Sequence, residues 1–449
     1  MILPARAAFS EIRLMMKALF FPGGILKLGL ALLLPFSAST RAGAAPSGEP
    51  RQVRSIFLGI DHLTQRDYDI LEGKRIGLLT HPAGVNRQGE STIEVLDRAP
   101  NVNLVALFGP EHGVYGDEKA NVPIKDRIDK NTGLPVYSLY GATRKPTPAM
   151  LAEIDAMVVD LQDLGVRSYT YISCMKLAME ACFENGVEFI VLDRPNPLGG
   201  LKVDGPMMET KWMSYVGAYR MPYVYGLTIG ELARMLKEVP GWLDVPVKTR
   251  LEGRLKIVPM KGWRRSMLWP RTGLRWVPTS PAIPDLSAAL GYPMTGLGTQ
   301  LGGFKHGYGT PFPFRLLSFH GMSPPTLKGH LEGLNIPGLS FQLRNYRLPT
   351  RQTGMGVYVV VDDFAALRPT ELSFHMMKLA AKWSRTNPFA DATPAQRTLF
   401  NKHVGSTEWW EAISTDGGRV DLEPFFRKFA REAETFRTFS RKYWIYTNL

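Results

Sequence analysis

Four acidic residues stand in settings that suit catalysis. Glu111 lies in Gly109-Pro110-Glu111-His112-Gly113, Asp160 and Asp163 belong to the run 160–171 (DLQDLGVRSYTY), and Asp193 opens Asp193-Arg194-Pro195-Asn196-Pro197. Paired carboxylates suit glycoside cleavage: one protonates the leaving oxygen and the other attacks the sugar or activates water. The acid must be held protonated by an apolar surround, which Phe108, Pro110, Tyr115, Tyr169 and Tyr171 can furnish. Glu111 is the first candidate for the acid, because a proline and glycines fix the backbone around it and Lys119 is the nearest basic residue in sequence. Its partner is Asp160, Asp163 or Asp193, a choice the sequence leaves open. Each of the three also has a structural reading. Asp160 and Asp163 can cap the helix that begins near Ile172 or pair with Arg167, and Asp193 can brace Arg194 in a tight turn. His112 is either a second acid–base group or a hydrogen-bonded wall residue. Trp263, Trp269 and Trp276 offer ring faces of the kind that stack on sugars.

Other chemistries lack their signatures. The sequence has no G-x-x-x-x-G-K-[ST] phosphate loop, no G-x-G-x-x-G fingerprint after a strand, and no H-E-x-x-H zinc motif. No G-x-S-x-G nucleophile elbow occurs. A Ser-x-x-Lys does occur at Ser173–Lys176, but without the S-D-N and K-T-G partners of the penicillin-recognising enzymes. Nothing in the spacing of Glu111, His112, Asp160 and Asp163 demands a metal, and no cofactor is expected.

These residues follow four apolar runs of strand length: 75–80, 102–108, 156–162 and 188–194. Each is nearly all apolar rather than alternating, as in a parallel sheet buried on both faces. Helical stretches at 89–97, 148–154 and 172–185 lie between them, the last closed by Asn185-Gly186. The alternation predicts an α/β fold with a Rossmann-like parallel sheet, whose ligands bind outside the carboxyl ends of the strands. A helix over 227–239 opens with Thr228 and Glu231 in capping-box spacing. Residues 240–325 are rich in Pro, Gly and Trp with little regular pattern, which in a compact protein points to function. A strand at 356–361, a helix at 371–384 and a helix at 422–439 with an apolar stripe from Leu422 to Phe436 make a second, smaller α/β unit. The expected division is a signal peptide over 1–44, a catalytic domain over 54–325 and an auxiliary domain over 326–449.

The 449 residues are 45% hydrophobic and 21% charged, which excludes a disordered or disulfide-rich chain. Mean hydropathy is −0.10, which excludes a polytopic membrane protein. Arg6, Arg13, Lys17 and Lys27 precede an uncharged run from Leu28 to Ala38, too short to span a bilayer, and Ala42-Gly43-Ala44 suits cleavage. Export to the periplasm or beyond, with no stable membrane insertion after cleavage, is the expectation. Cleavage would remove five basic residues and one glutamate, taking the formal charge from +13 to about +9. That charge is spread rather than gathered in a stripe, and no nucleic-acid motif is present. Cys174 and Cys182 fall eight residues apart in one helix, with Cα atoms about 12 Å apart, too far to bridge.

The strings GPEHGVYGDEKA (109–120), TGLPVYSLYG (132–141), DLQDLGVRSYTY (160–171), VLDRPNPLGG (191–200) and YGLTIGELA (225–233) resemble the NamZ/YbbC-like family of exo-β-N-acetylmuramidases. The resemblance runs from about residue 56 to 449. It implies a Rossmann-like catalytic domain with a smaller α/β domain, and release of N-acetylmuramic acid from the non-reducing end of cell-wall fragments. It implies that Glu111 is the PEHG acid, that Asp160, Asp163, Arg167, Tyr169 and Tyr171 form one motif at the site, and that Asp193, Arg194 and Asn196 form another. Muramic acid carries a lactyl carboxylate, which arginine grips well; Arg167 is the first choice and Arg194 the second. The chain departs from the family's E-G-T…G-R-G-T pattern at Leu297 and Tyr308, and an Asn of the preceding P-S-P-N-I-P is replaced where the chain reads Pro281-Ala282-Ile283-Pro284. A muropeptide-binding protein that has lost hydrolysis is the alternative these departures raise. Retaining, inverting and substrate-assisted routes all remain open.

Overall fold

Seven segments pair into one sheet, and the apolar runs in its middle explain why it is covered on both sides. The computed structural model describes residues 56–116, 118, 124–298 and 301–448. The expected export signal over 1–44 lies outside the described residues. The strands are β1 (Arg75–Thr80), β2 (Asn103–Gly109), β3 (Arg127–Ile128), β4 (Pro135–Ser138), β5 (Ala156–Asp160), β6 (Glu188–Leu192) and β7 (Leu255–Val258). Their order is β3-β4-β2-β1-β5-β6-β7, with every neighbouring pair parallel except β3 and β4. Successive side chains of a strand point to opposite faces. Met157, Val159, Phe189 and Val191 accordingly enter one core, while Ala156, Val158, Ile190 and Leu192 enter the other. The helix Tyr171–Glu184 covers the first face. Asn185 ends it and Gly186 takes φ +71°, a left-handed turn that glycine makes at little steric cost.

The chain places β2 on one side of β1 and later returns to place β5 on the other. Loops after β1 and β5 therefore diverge at the carboxyl edge, the position where open α/β sheets hold ligands.

The second sheet comprises β8 (Phe304–Lys305), β9 (Leu316–Phe319), β10 (Leu339–Arg347) and β11 (Thr353–Val361). It is antiparallel, in the order β10-β11-β9-β8. Leu317, Phe341, Val357 and Val359 from its strands pack with Leu327, Leu331 and Met376 in a separate small core. The expected boundary at 325 falls between β9 and β10, inside the helix Pro324–Glu332. The helices Pro394–Val404, Thr407–Asp416 and Glu423–Ser440 bring Phe400, Trp409, Phe425 and Phe429 into the same core as Met157 and Phe189. The C-terminal half thus closes one face of the parallel sheet as well as building its own sheet.

The stretch 240–325, read as irregular, contains β7, β8, β9 and the helices Val247–Glu252 and Leu286–Thr295. Its strands are two to four residues long, below the length at which hydrophobic periodicity is informative. Cys174 and Cys182 are both buried and free, and burial pushes the Cys174 thiol up to about 12. No helix among the described residues is long and apolar enough to cross a membrane.

Candidate active site

Glu111 is presented by a sharp reversal just beyond β2. The Gly113 N–H donates to Pro110 O at 2.9 Å, and His112 and Gly113 both adopt positive φ, +75° and +73°. A Cβ on Gly109 would meet Gly113 Cα at 3.1 Å, so the reversal needs that glycine. His112 is buried, and its Nδ1 lies 2.9 Å from Glu118 O. This contact holds a non-glycine residue in a backbone region that costs about 1–2 kcal/mol. The wall-residue reading of His112 matches that geometry. Glu111 itself is partly exposed. Thr170 Oγ1 donates to its Oε2 at 3.3 Å, and Tyr171 OH lies 3.5 Å from its main-chain oxygen. Burial pushes the Tyr140 phenol up, and the adjacent Glu111 carboxylate adds to the shift. Tyr292 is pushed up by burial too, with the charges of Glu111 and Asp163 both contributing. Tyrosines therefore surround the carboxylate that the sequence singles out.

Tyr169 and Tyr171 reach this wall by anchoring to the loop before the helix Leu286–Thr295. Tyr169 OH donates to Thr279 Oγ1 at 2.9 Å and Tyr171 OH to Thr279 O at 2.6 Å, and the two rings meet edge to face at 4.8 Å. His81, beyond β1, packs its ring 4.7 Å from that of Tyr171 and accepts the Gln162 N–H on Nε2. Burial, with Arg194 nearby, holds His81 down at about 3, so it is neutral.

The other three acids belong to the scaffold. Asp160 is fully buried, takes Nε and Nη2 of Arg194 on its two oxygens, and also accepts the Thr92 hydroxyl. Asp193 is equally buried. Its Oδ1 accepts the N–H groups of Arg194 and Gly230 at 2.9 and 2.8 Å, and its Oδ2 accepts the hydroxyls of Thr228 and Tyr446 at 2.7 and 2.5 Å. Burial raises Asp193 to about 6, and the Tyr446 and Thr228 hydrogen bonds pull back against it. Asp163 accepts the Gly165 N–H at 2.6 Å and the Tyr225 hydroxyl on Oδ2, while its buried Oδ1 has no hydrogen-bond partner. Burial raises it to about 6 as well.

Arg167 is enclosed by main-chain oxygens, and Arg194 is largely engaged by the scaffold. Arg167 has no exposed surface, and its two terminal nitrogens donate to four carbonyls: Pro206 and Met221 at 2.8 and 2.7 Å, His403 and Val404 at 3.1 and 2.9 Å. It joins the parallel-sheet half to the end of the helix Pro394–Val404. Arg194 is occupied by Asp160 and Val85 O. Asn196 is a brace: its Nδ2 donates to Leu227 O at 3.0 Å and its Oδ1 accepts Leu198 N at 2.9 Å. A Cβ on Gly165, whose φ is +74°, would lie 2.3 Å from that Oδ1.

An exposed arginine that the sequence reading passed over stands on the Glu111 side instead. The guanidinium carbon of Arg144 is 4.2 Å from the Tyr215 ring centroid and 5.1 Å from that of Tyr140. Both Tyr140 and Arg144 follow β4, a short strand whose half-buried alternation gave no strong strand signal. Among the described residues no three His, Cys, Asp or Glu side chains gather as a metal site.

Residues 76–287 match the N-terminal domain and residues 290–446 the C-terminal domain of the exo-β-N-acetylmuramidase NamZ. The chain belongs to the NamZ family. It is 42% identical over 318 residues to the peptidoglycan β-N-acetylmuramidase NamZ of Bacillus subtilis strain 168, covering 70% of this chain and 74% of that one. A crystal structure of a DUF1343-family protein from Bacteroides fragilis superposes with a TM-score of 0.78 at 42% identity, over 87% of this chain and 99% of that chain. A second B. fragilis DUF1343 protein gives 0.67 at 25% identity, over 88% and 100%. At the two departures from the NamZ pattern, Leu297 is buried in the main core and Tyr308 is 67% exposed. Neither placement favours the hydrolysis-deficient alternative.

Proposed function

We propose that this NamZ-family protein releases N-acetylmuramic acid from the non-reducing end of peptidoglycan fragments, with Glu111 as general acid. One observation carries the assignment. Of the four candidate acids, Glu111 alone is partly exposed, and it lies among tyrosines, whereas Asp160, Asp163 and Asp193 are enclosed by the scaffold. Glu111 protonates the glycosidic oxygen as the bond to C1 breaks. With the three aspartates enclosed, the substrate's own acetamido oxygen is the nucleophile that the site favours. It bonds to C1 as the leaving group departs, and water then opens the resulting ring while Glu111 takes the proton back. Configuration at C1 is retained.

Turnover of p-nitrophenyl β-N-acetylmuramide, with Glu111→Gln and the N-acetylglucosaminide as controls, tests the reading. Muramide-specific turnover that collapses in the variant supports it. Folded protein that binds muramyl sugars without cleaving them or natural muropeptides would sink it. Proton NMR of the first-formed product reports the stereochemistry. Inversion would overturn the acetamido route. Export of the chain after removal of residues 1–44 belongs to the same reading, because peptidoglycan lies outside the cytoplasm. N-terminal sequencing of the secreted protein tests it, and retention of the protein in the cytoplasm would refute it.

A further inference from the structure

A cavity of about 310 Å³ adjoins the Glu111 wall, lined by Arg144, Ser173, Lys176, Met213, Ser214 and Tyr215 among others. Tyr215 of its lining and the neighbouring Tyr140 tie it to the acid. Tyr215 and Tyr140 flank the Arg144 guanidinium, and both phenols are pushed up by burial with the Glu111 charge contributing. Its size is at the lower end of small-molecule sites, enough for a sugar substituent but not for a polymer. Its polar groups await a partner. Ser173 Oγ and Ser214 Oγ are buried and make no hydrogen bond among the described residues, and Ser173 is only 1% exposed. Buried hydroxyls are normally satisfied by protein, water or ligand. The cavity's two cations differ. Lys176 is neutralised by Glu180, four residues on in the same helix, whereas Arg144 has no carboxylate partner among the described residues.

We infer that this cavity is the subsite for the carboxylate-bearing lactyl ether of the terminal muramic acid, with Arg144 as the specificity-determining residue. The inference rests on the hydrolase reading and deepens it. Arg144 presents a planar fork of N–H donors that matches the carboxylate. Tyr215 and Tyr140 hold the fork in place, and Ser173 and Ser214 donate to the oxygens or to a water beneath them. The Ser-x-x-Lys spacing is explained without an acyl enzyme. One helical turn faces the cavity, and Lys176 is paired with Glu180 rather than with Ser173.

Calorimetric binding of N-acetylmuramic acid, its lactyl methyl ester and N-acetylglucosamine tests this without relying on turnover. The wild-type protein is expected to prefer the free acid over the ester on the order of ten- to a hundred-fold, the size of a charge-assisted hydrogen-bond pair. Arg144→Leu should abolish that preference, and Arg144→Lys should restore part of it. Arg144 is exposed, so the fold should survive, with circular dichroism as the check. Ala218→Leu, which fills the cavity from its wall, should weaken both muramyl ligands and spare N-acetylglucosamine. A preference that persists in Arg144→Leu, or muramyl affinity untouched in Ala218→Leu, overturns the subsite and leaves the hydrolase reading intact. Wild-type protein that neither binds nor cleaves any muramyl compound overturns both.

Discussion

The carboxyl edge of the parallel sheet has two walls, and carboxylates sit in opposite surroundings on them. Beyond β5 and β6, Asp160 and Asp193 are wrapped by guanidinium, hydroxyl and N–H donors until no exposed surface remains. Beyond β2, Glu111 accepts the Thr170 hydroxyl at 3.3 Å, has the Tyr140 phenol as a second hydrogen-bond partner and keeps access to solvent. A carboxylate enclosed by donors is suited to holding loops together. One that keeps an open side can exchange a proton with a substrate. The motifs contain both kinds, so membership in a motif does not decide whether a carboxylate is enclosed or open.

Single substitutions should separate the two walls. Glu111→Gln should lower kcat on the order of a hundred- to ten-thousand-fold, the range for removing a general acid, with the melting temperature unchanged. Loss of folding would break the comparison. Asp160→Ala should destabilise by about 3–5 kcal/mol, because it leaves the Arg194 charge buried and unpaired. A denaturant midpoint equal to that of wild type would show that the pair is dispensable.

The pH dependence sharpens the same contrast. Asp163 is raised from 3.8 to about 6 in the fold. The folded state therefore holds its proton more tightly than the unfolded chain does. That stabilisation is fully present below about pH 4 and is lost as pH rises through 6, amounting to at most about 3 kcal/mol. Asp163→Asn should flatten the fall in unfolding free energy between pH 4 and 6.5, and an unchanged slope would remove Asp163 from the account. Thr228→Ala should have the smallest effect, about 1–2 kcal/mol. It deletes both the cap on the Glu231 N–H at 3.2 Å and a donor to Asp193. A loss far above that range in chemical unfolding would mean that Asp193 depends on this one hydroxyl.

Much of the framework was legible locally. The β1 run ends where the structure ends it, and β2, β5 and β6 fall within two residues of their apolar runs. The Thr228–Glu231 capping box forms as its spacing implied. The stripe Phe425, Phe426, Phe429, Ala433 and Phe436 is buried along the last long helix. β3, β4 and β7 escaped notice because each is four residues or shorter and partly exposed. Glu111 was legible because proline and glycine around an acid announce a shaped loop.

The sequence by itself determined where the buried strands run, how the helices begin and end, and which strand ends carry polar residues. Those properties follow from side-chain polarity and backbone preference within a few neighbours. Only the tertiary structure decided which of those polar residues is open to solvent. Arg167 is buried because Pro206, Met221, His403 and Val404, up to 237 residues away, supply the carbonyls that enclose it. Asp193 became a brace because the hydroxyl of Tyr446, 253 residues on, reaches it. Arg144 is brought to the Glu111 side because Tyr215, from a distant loop, stacks against it. The availability of a charged group is set by every donor and ring packed around it, and long-range contacts supply many of those partners.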